Sequence, residues 1–252
     1  MPHDHPRVRA RHLRVLAVLL LGAIPAAATA QDSTRAVRLT GNLAYVDAAG
    51  NSDVTTFAFN QRLEFRIGTR GTGVTQSLGG VYGRTDGVTS ASLWRAGLRG
   101  DVAFSHSVSG YALVGYDRDR FAGIARRVEE GLGLGVRVLH GPTDSLQVEG
   151  GLSFFQQRST DEVSTSYTAA RTAGRYKHLF APAAYFLQLL EVLPNLDDVG
   201  ALRANSESAL AAPISRALAL RVSLVLRYDS DPPEAGVKKL DRLFTAGIEI
   251  TF

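Results

Sequence analysis

The sequence contains no cysteine, which excludes disulfides and thiol chemistry. It also has no long uncharged apolar run. The most apolar stretch, Leu13 to Ile24, spans about a dozen residues, whereas a membrane-spanning helix needs about 20. These absences exclude a disulfide-stabilised domain and the insertion of helices into a membrane.

The first thirty residues have the composition of an export signal. Four arginines precede or begin the apolar stretch, and Ala28-Thr29-Ala30 forms an A-x-A cleavage site before Gln31. We therefore predict a Sec-type signal peptide over residues 1–30 and a mature domain over residues 31–252. No cysteine follows the predicted cleavage site, so a lipid anchor is not expected.

The charges of the predicted mature chain are balanced. Without the leader, 24 basic and 23 acidic residues remain, so the basic excess of the full sequence nearly disappears. A protein that binds nucleic acid normally carries a basic excess on one face. Nucleic acid is therefore not an expected partner.

Apolar and polar residues alternate with period two along most of the mature chain, as in a β-strand with one apolar face. The pattern is clearest from Arg216 to Asp229 and from Leu240 to Phe252, where apolar residues occupy most even positions. The segments around Tyr111 to Tyr116 and Tyr176 to Leu190 alternate less regularly. Strands are predicted there from spacing alone.

Breaks in the alternation mark the predicted turns. They fall at residues 47–53, 67–72, 85–90, 105–109, 119–127, 140–145, 158–171, 181–183, 193–199, 211–215 and 229–239. All six prolines after the leader lie between the predicted strands, as a closed hydrogen-bonded sheet requires. The sequence thus predicts an all-β fold, a transmembrane antiparallel up-and-down β-barrel of about twelve strands, an even number as in bacterial outer-membrane barrels.

From the fifth turn onward, long and short predicted turns mostly alternate, and those at 119–127, 158–171 and 229–239 are long. Outer-membrane barrels have short periplasmic turns and longer extracellular loops, so we predict that both termini lie in the periplasm. Trp94 and Tyr228 are then expected in the aromatic girdle at the outer interface.

Three further aromatic residues are predicted as interface anchors: Tyr111, Tyr116 and Phe121. The alternative is that they line a path for a ligand.

The polar stripe carries charges of both signs. Because they occupy positions that alternate with the apolar residues, Glu64, Glu129 and Asp229 belong to it. The other candidate lumen residues are Arg62, Arg66, Arg95, Arg99, Asp101, Arg137, Glu149, Arg203, Glu207, Arg221, Arg227, Asp241 and Glu249. A soluble lipocalin-like barrel or β-sandwich also alternates, with its apolar face toward a protein core. Balanced charges on most strands favour a lumen lined with ion pairs, and hence a membrane barrel over a soluble periplasmic β-protein.

The last predicted strand has the form of an assembly signal. Its alternating apolar residues end in a terminal phenylalanine, and the predicted signal consists of Phe244, Ile248, Ile250 and Phe252. Such a strand is recognised by the barrel assembly machinery. We therefore expect that machinery as a partner, in addition to outer-membrane lipid.

Several segments resemble those of a known family. Gly41-Asn42-Leu43 leads into the turn Gly50-Asn51-Ser52-Asp53, and Arg227 to Pro233 precedes Lys238-Lys239-Leu240-Asp241. Together with Tyr116 to Phe121, these segments resemble the YdiY-like family of salt-induced outer membrane proteins. The resemblance covers nearly all of the mature chain. It implies an outer-membrane location and a link to salt stress, and it implies no catalytic residues.

Few residues suggest catalysis. The histidines after the leader, His106, His140 and His178, lack the H-x-x-x-H or H-E-x-x-H spacing of a metal site. His140 and His178 lie at the wrong end of the predicted barrel for a lipase-type triad at the outer rim. The run Gly131-x-Gly133-x-Gly135 does not continue as a nucleotide-binding loop, and small inward residues usually make room for a bulky neighbour. We therefore predict no enzyme activity, metal or cofactor.

Two main functions remain for such a barrel. Balanced inward charges argue against strong ion selectivity, because a selective pore concentrates one sign of charge. The sequence favours a role in envelope integrity or stress adaptation. A narrow passive, porin-like channel for ions or small solutes is the alternative, and an outer-membrane hydrolase is a more distant one. The distinguishing feature is whether the inward arginines pair across the lumen or leave a continuous water path.

Overall fold

The computed structural model describes residues 37–48, 54–68, 72–182, 184–215, 217–233 and 236–251. The predicted signal peptide, the predicted turn from Gly50 to Asp53 and the terminal Phe252 lie outside these residues. Within them, no helix is long and apolar enough to cross a membrane.

Twelve antiparallel strands form a closed barrel. Each strand pairs with its neighbours in sequence, and β1 closes the sheet against β12 from Thr40–Thr251 to Leu43–Ile248. The strands are β1 Val37–Ala48, β2 Val54–Ile67, β3 Thr72–Thr85, β4 Val88–Ala103, β5 Val108–Asp119, β6 Ile124–His140, β7 Asp144–Ser159, β8 Ser164–Ala181, β9 Ala184–Pro194, β10 Leu202–Pro213, β11 Leu218–Asp229 and β12 Leu240–Thr251. The predicted all-β barrel of about twelve strands is confirmed.

The two ends of the barrel differ in the strand connections that lie there. Strand β1 begins and β12 finishes at one end, which we name the terminal end. The connection between β1 and β2 lies at the other end, which we name the loop end. Every second connection after it lies there too. The two widest loop-end connections are residues 195–201 and 230–239, and a 3₁₀ turn, Arg120–Ala122, follows β5 at the same end.

Two loops predicted at this end are wrong in length. The turns predicted at 119–127 and 158–171 span only residues 120–123 and 160–163, because β6 begins at Ile124 and β8 at Ser164. The polar start of β8 pairs with β7 as far as Arg158. A strand end that extends past the lipid needs no apolar face, so the alternation is lost there while the pairing continues.

Two prolines also differ from the prediction. Pro194 and Pro213 do not lie between strands but are the last residues of β9 and β10. Proline lacks an N–H donor, so it is tolerated where a strand ends and its ladder of hydrogen bonds stops.

Side chains alternate between the outer surface and the lumen. Large apolar residues are exposed on the outer surface, as for Leu132 at 65% and Phe244 at 67%. Most charged residues of the strands face inward, and outward ones such as Arg84, Arg126 and Arg158 lie near the loop end. This is the arrangement of a barrel in lipid, since a soluble β-protein would bury the apolar stripe. The soluble periplasmic alternative is therefore rejected.

Aromatic side chains lie toward both ends of the outer surface. Tyr45, Tyr82 and Tyr116 are close to the loop end, and Phe65 and Phe180 are close to the terminal end. Trp94 and Tyr228, the residues predicted for the outer girdle, are also exposed in the half of the barrel nearer the loop end. Such belts are typical of the two interfaces of a membrane.

Candidate functional site in the barrel lumen

Side chains from strands that are not neighbours in the sheet meet inside the barrel. In a closed barrel, a hydrogen bond between two such strands can run only through the lumen, because their outward side chains point apart. The cross-strand ion pairs described below therefore identify which charged residues face inward.

A chain of alternating charges links β4 to β9. Glu149 accepts hydrogen bonds from Arg99 at 2.7 and 2.9 Å and from Arg171 at 2.8 Å. Arg99 also pairs with Asp101 at 2.7 Å, and Arg171 pairs with Glu191 at 2.7 Å. We name these five residues the central network. Each charge in it has a direct partner of opposite sign, which satisfies charges that are largely withdrawn from solvent.

Tyr111 of β5 is inserted between the two arginines of the central network. Its ring centre lies 4.3 Å from the guanidinium carbon of Arg99 and 5.0 Å from that of Arg171. Its hydroxyl accepts a hydrogen bond from Arg171 at 2.8 Å. The prediction of Tyr111 as an interface anchor is wrong, because its side chain is only 5% exposed, whereas Tyr116 and Phe121 are exposed.

Glycines make room for Tyr111. A Cβ atom at Gly133 or Gly151 would lie 2.6 Å from the Tyr111 hydroxyl and would also collide with the backbone of the facing strand. The space-making role predicted for the glycine run of β6 is confirmed at Gly133.

Arg221 of β11 holds a second cluster nearer the terminal end. It pairs with Glu249 of β12 at 2.9 Å and with Glu207 of β10. It also donates to the hydroxyl of Tyr185 of β9 at 3.1 Å, and that hydroxyl donates to Glu249 at 2.7 Å. Four consecutive strands are thus tied together through one guanidinium group.

Arg127 of β6 reaches the opposite wall of the barrel. It lies 3.6 Å from Asp229 of β11, which is five places away in a ring of twelve strands. Arg127 also donates to Gln157 at 2.6 Å and lies 3.8 Å from Asp117. Asp229 lies 3.9 Å from Arg203. The Arg127–Asp229 contact crosses nearly the full width of the lumen, and the other three join neighbouring strands.

The remaining predicted lumen residues differ in their contacts. Arg62 pairs with Glu64 of the same strand at 2.6 Å. Glu129 accepts a hydrogen bond from Ser153 at 2.7 Å. Within the described part of the chain, six of the predicted residues make no ion pair: Arg66, Arg95, Glu129, Arg137, Arg227 and Asp241.

Several residues of these networks were not predicted to face the lumen. Arg127 and Arg171 lie in segments predicted as loops, where the polar strand ends hide the alternation. Tyr185 lies in the segment from Tyr176 to Leu190, which alternates irregularly, and Glu191 directly follows that segment. Arg171 was predictable from Lys177. The two residues are six positions apart, so in one continuous strand they share a face, which is the inner face.

The predicted assembly signal lies on the outer surface as far as the structure describes it. Phe244, Ile248 and Ile250 belong to β12 and pair with leucines of β11. Phe244 and Ile248 are exposed.

The described residues assemble no recognisable catalytic or metal site. Among them, no group of three or more histidine, cysteine or acidic residues could hold a metal ion. His106 and His140 stack at the terminal end with ring centres 5.0 Å apart. His178 forms a hydrogen bond with Asp144 at 2.8 Å. Within the same ranges, none of these histidines contacts a serine hydroxyl.

Solved outer-membrane barrels share this fold. The translocator domain of the autotransporter NalP from Neisseria meningitidis matches with a TM-score of 0.51 and 12% identity, covering 86% of this chain and 88% of that one. The NanC porin matches with a TM-score of 0.50 and 9% identity, covering 86% of this chain and 99% of that one. Identities this low indicate a common fold and nothing more.

Sequence comparison gives the family. The uncharacterized protein YdiY of Escherichia coli (strain K12) is 29% identical over 130 residues, or 52% of this chain and 50% of that protein. The match thus spans about half the length of that relative. The model of the family described as "Protein of unknown function, DUF481" matches residues 41–252. The YdiY-like resemblance is confirmed, and this chain belongs to the DUF481 family.

Proposed function

We propose that this protein is an outer-membrane barrel with a closed lumen, and that it contributes to envelope integrity under stress, including salt stress. The observation that carries the proposal is the Arg127–Asp229 contact, which joins nearly opposite walls. The central network adds paired charges from β4 to β9. A pore for solutes needs a continuous water path, and these side chains obstruct much of it.

The predicted lumen residues act in this proposal as structural charges. Ion pairs between distant strands hold the walls together, much as a protein core would. Arg99 of β4 and Glu149 of β7 take this role through a direct contact, whereas Arg221 and Glu249 lie on neighbouring strands and reach Tyr185 of β9 through its hydroxyl. None of them is assigned a part in a chemical reaction.

The proposed location rests on the outer surface. Exposed apolar residues between two aromatic belts suit a lipid bilayer. We also propose that residues 1–30 direct export, that both termini face the periplasm, and that the barrel assembly machinery recognises β12 through its outward apolar residues and Phe252.

A narrow channel is the second candidate, and one observation favours it. On strands that lie outside the central network, the inner faces of β3 and β12 carry small residues, among them Ser77, Gly79, Thr245 and Gly247. Small side chains leave room for water, so ions or small solutes have a route along these strands.

The proposed role is tested by deleting the gene in its host and measuring growth at high salt and leakage of a periplasmic enzyme. The wild-type gene should restore both. A double variant, Arg127→Gln with Arg171→Gln, should restore neither at equal membrane levels, because it removes the Arg127–Asp229 contact and the hydrogen bond from Arg171 to Tyr111, which both cross the lumen. Arg137→Gln, which removes an inward arginine without an ion pair, is the matched control. A deletion strain that grows and retains its periplasmic enzymes normally would overturn the envelope role.

The second candidate needs a separate measurement. Proteoliposomes that contain the wild-type barrel should not swell in solutions of small sugars or salts. Swelling would show that the lumen is a narrow channel and is not closed.

A further inference from the structure

A cavity at the loop end of the lumen lies outside the networks described above. Its volume is about 160 Å³, and its walls come from β3, β4, the end of β5, the 3₁₀ turn, β11 and β12. Its apolar lining includes Val81, Leu93, Phe121, Val225 and Leu243. Three charged residues share the same walls: Asp119, Arg227 and Asp241. The cavity is therefore apolar with a few convergent charges, which is the usual character of a small-molecule site.

The charged groups of this cavity are close together but unpaired. Arg227 and Asp241 are cross-strand neighbours on β11 and β12, and Asp119 lies within electrostatic range of both. Among the described residues, none of the three makes an ion pair of 4.0 Å or less. The central network is different, because Arg99 and Asp101 are in direct contact at 2.7 Å.

Arg95 adds a positive charge near the cavity but is not one of its lining residues. Its Nε atom is buried and has no hydrogen-bond partner among the described residues. Arg95 lies within electrostatic range of both Asp119 and Arg227.

Asp119 is held in a fixed orientation. Its Oδ1 atom accepts hydrogen bonds from the backbone N–H groups of Phe121 at 3.3 Å and Ala122 at 3.2 Å. The second carboxylate oxygen, Oδ2, makes no hydrogen bond within the described ranges. It is therefore available to a ligand.

We propose that the cavity binds a small zwitterion with an aliphatic part, of the size and kind of an α-amino acid. Arg227 binds its carboxylate, because a guanidinium group matches a carboxylate with two parallel hydrogen bonds. Asp119 and Asp241 accept hydrogen bonds from its ammonium group. The apolar walls contact its aliphatic part. A volume of about 160 Å³ is close to the roughly 150 Å³ of an engineered apolar cavity that binds benzene, so it accommodates several non-hydrogen atoms.

The proposal is tested by calorimetric titration of L-leucine into the refolded full-length barrel in detergent micelles. Isoamylamine and 4-methylpentanoate are the matched probes, because each keeps a similar aliphatic part and one of the two charges. We expect leucine to bind at least tenfold more tightly than either. Equal affinities, tighter binding of a single-charge probe, or no detectable leucine binding would overturn the proposal.

Variants locate the site. Asp241→Asn and Arg227→Gln should each weaken leucine binding at least tenfold. Arg137→Gln, which changes an unpaired lumen arginine away from the cavity, should leave it unchanged. Heat-modifiable gel mobility confirms folding. Because Asp241 makes no ion pair in the described chain, Asp241→Asn keeps the test decisive even if Arg227→Gln does not fold. Wild-type affinity in a folded Asp241→Asn variant would exclude this cavity as the site.

Discussion

Arg127 on β6 and Asp229 on β11 approach to 3.6 Å although five strand positions separate them around the barrel. Such a contact fixes the distance between two nearly opposite walls. Arg127 is only 5% exposed, so the pair is shielded from the screening that weakens surface ion pairs. The lumen at this level is therefore part of the packed structure, and its side chains should contribute to stability as well as to permeability.

Tyr111 should contribute to the stability of the barrel through both its ring and its hydroxyl. We expect Tyr111→Phe to lower the free energy of unfolding by about 1–2 kcal/mol, because Arg171 loses one hydrogen bond. Tyr111→Ala should cost about 3–5 kcal/mol, because it also leaves a cavity between two arginines. Urea titration in lipid vesicles measures both. The outward Tyr116→Phe variant should change little, and equal small losses for both Tyr111 variants would argue against the stacked arrangement.

Gly133 should not tolerate a side chain. A Cβ at this position meets the Tyr111 hydroxyl and the backbone of β7, so Gly133→Ala should displace Tyr111 and destabilise the barrel by about 1–3 kcal/mol. Gly150→Ala is the matched control, because a Cβ there meets nothing within 4 Å. The same urea titration compares them. If the two variants unfold at the same urea concentration, the close packing around Tyr111 is not present.

The free-energy cost of placing a charge on the outer surface should depend on the depth of that position in the bilayer. Leu224 lies in the middle of β11 on the exposed face, and Leu224→Arg should cost about 2–4 kcal/mol in a bilayer. Leu240 begins β12 at the loop end, and Leu240→Arg should cost about 0–1 kcal/mol. Folding titrations in vesicles give both values. Equal costs would contradict a lipid-facing surface with its mid-plane near Leu224.

Phe252 should matter for assembly more than any single inward arginine. We expect its deletion to reduce the amount of folded barrel in the outer membrane severalfold, because the proposed assembly signal loses its last residue. Arg137→Gln should have little effect. Heat-modifiable mobility of membrane fractions provides the measurement, and normal levels of the truncated protein would count against the assembly-signal interpretation.

The fold could be predicted because a strand in lipid must alternate along its whole membrane-spanning length. Leu218 to Tyr228 and Leu240 to Ile250 follow that rule closely, and the strand number follows from counting such segments. The start of β8 near Ser164 could not be predicted in the same way. A strand end outside the lipid loses the apolar face from which the prediction is made.

The networks of the lumen were predictable only as a set of inward charges. Parity places Arg99 and Glu149 on the inner face, but their direct contact depends on the register of the intervening strands and on the curvature of the wall. The same limit applies to Arg227 and Asp241, which parity also places inside. They are neighbours in register and yet remain apart around a cavity.

The closed lumen is the central claim, and single-channel recording in planar bilayers tests it most directly. The refolded wild-type barrel should insert without producing discrete conductance steps. The double variant Arg127→Ala with Arg171→Ala should produce them, because it removes the side chains that contact Asp229 and Glu149. Regular conductance steps from the folded wild-type barrel would contradict the claim and identify the lumen as an open channel.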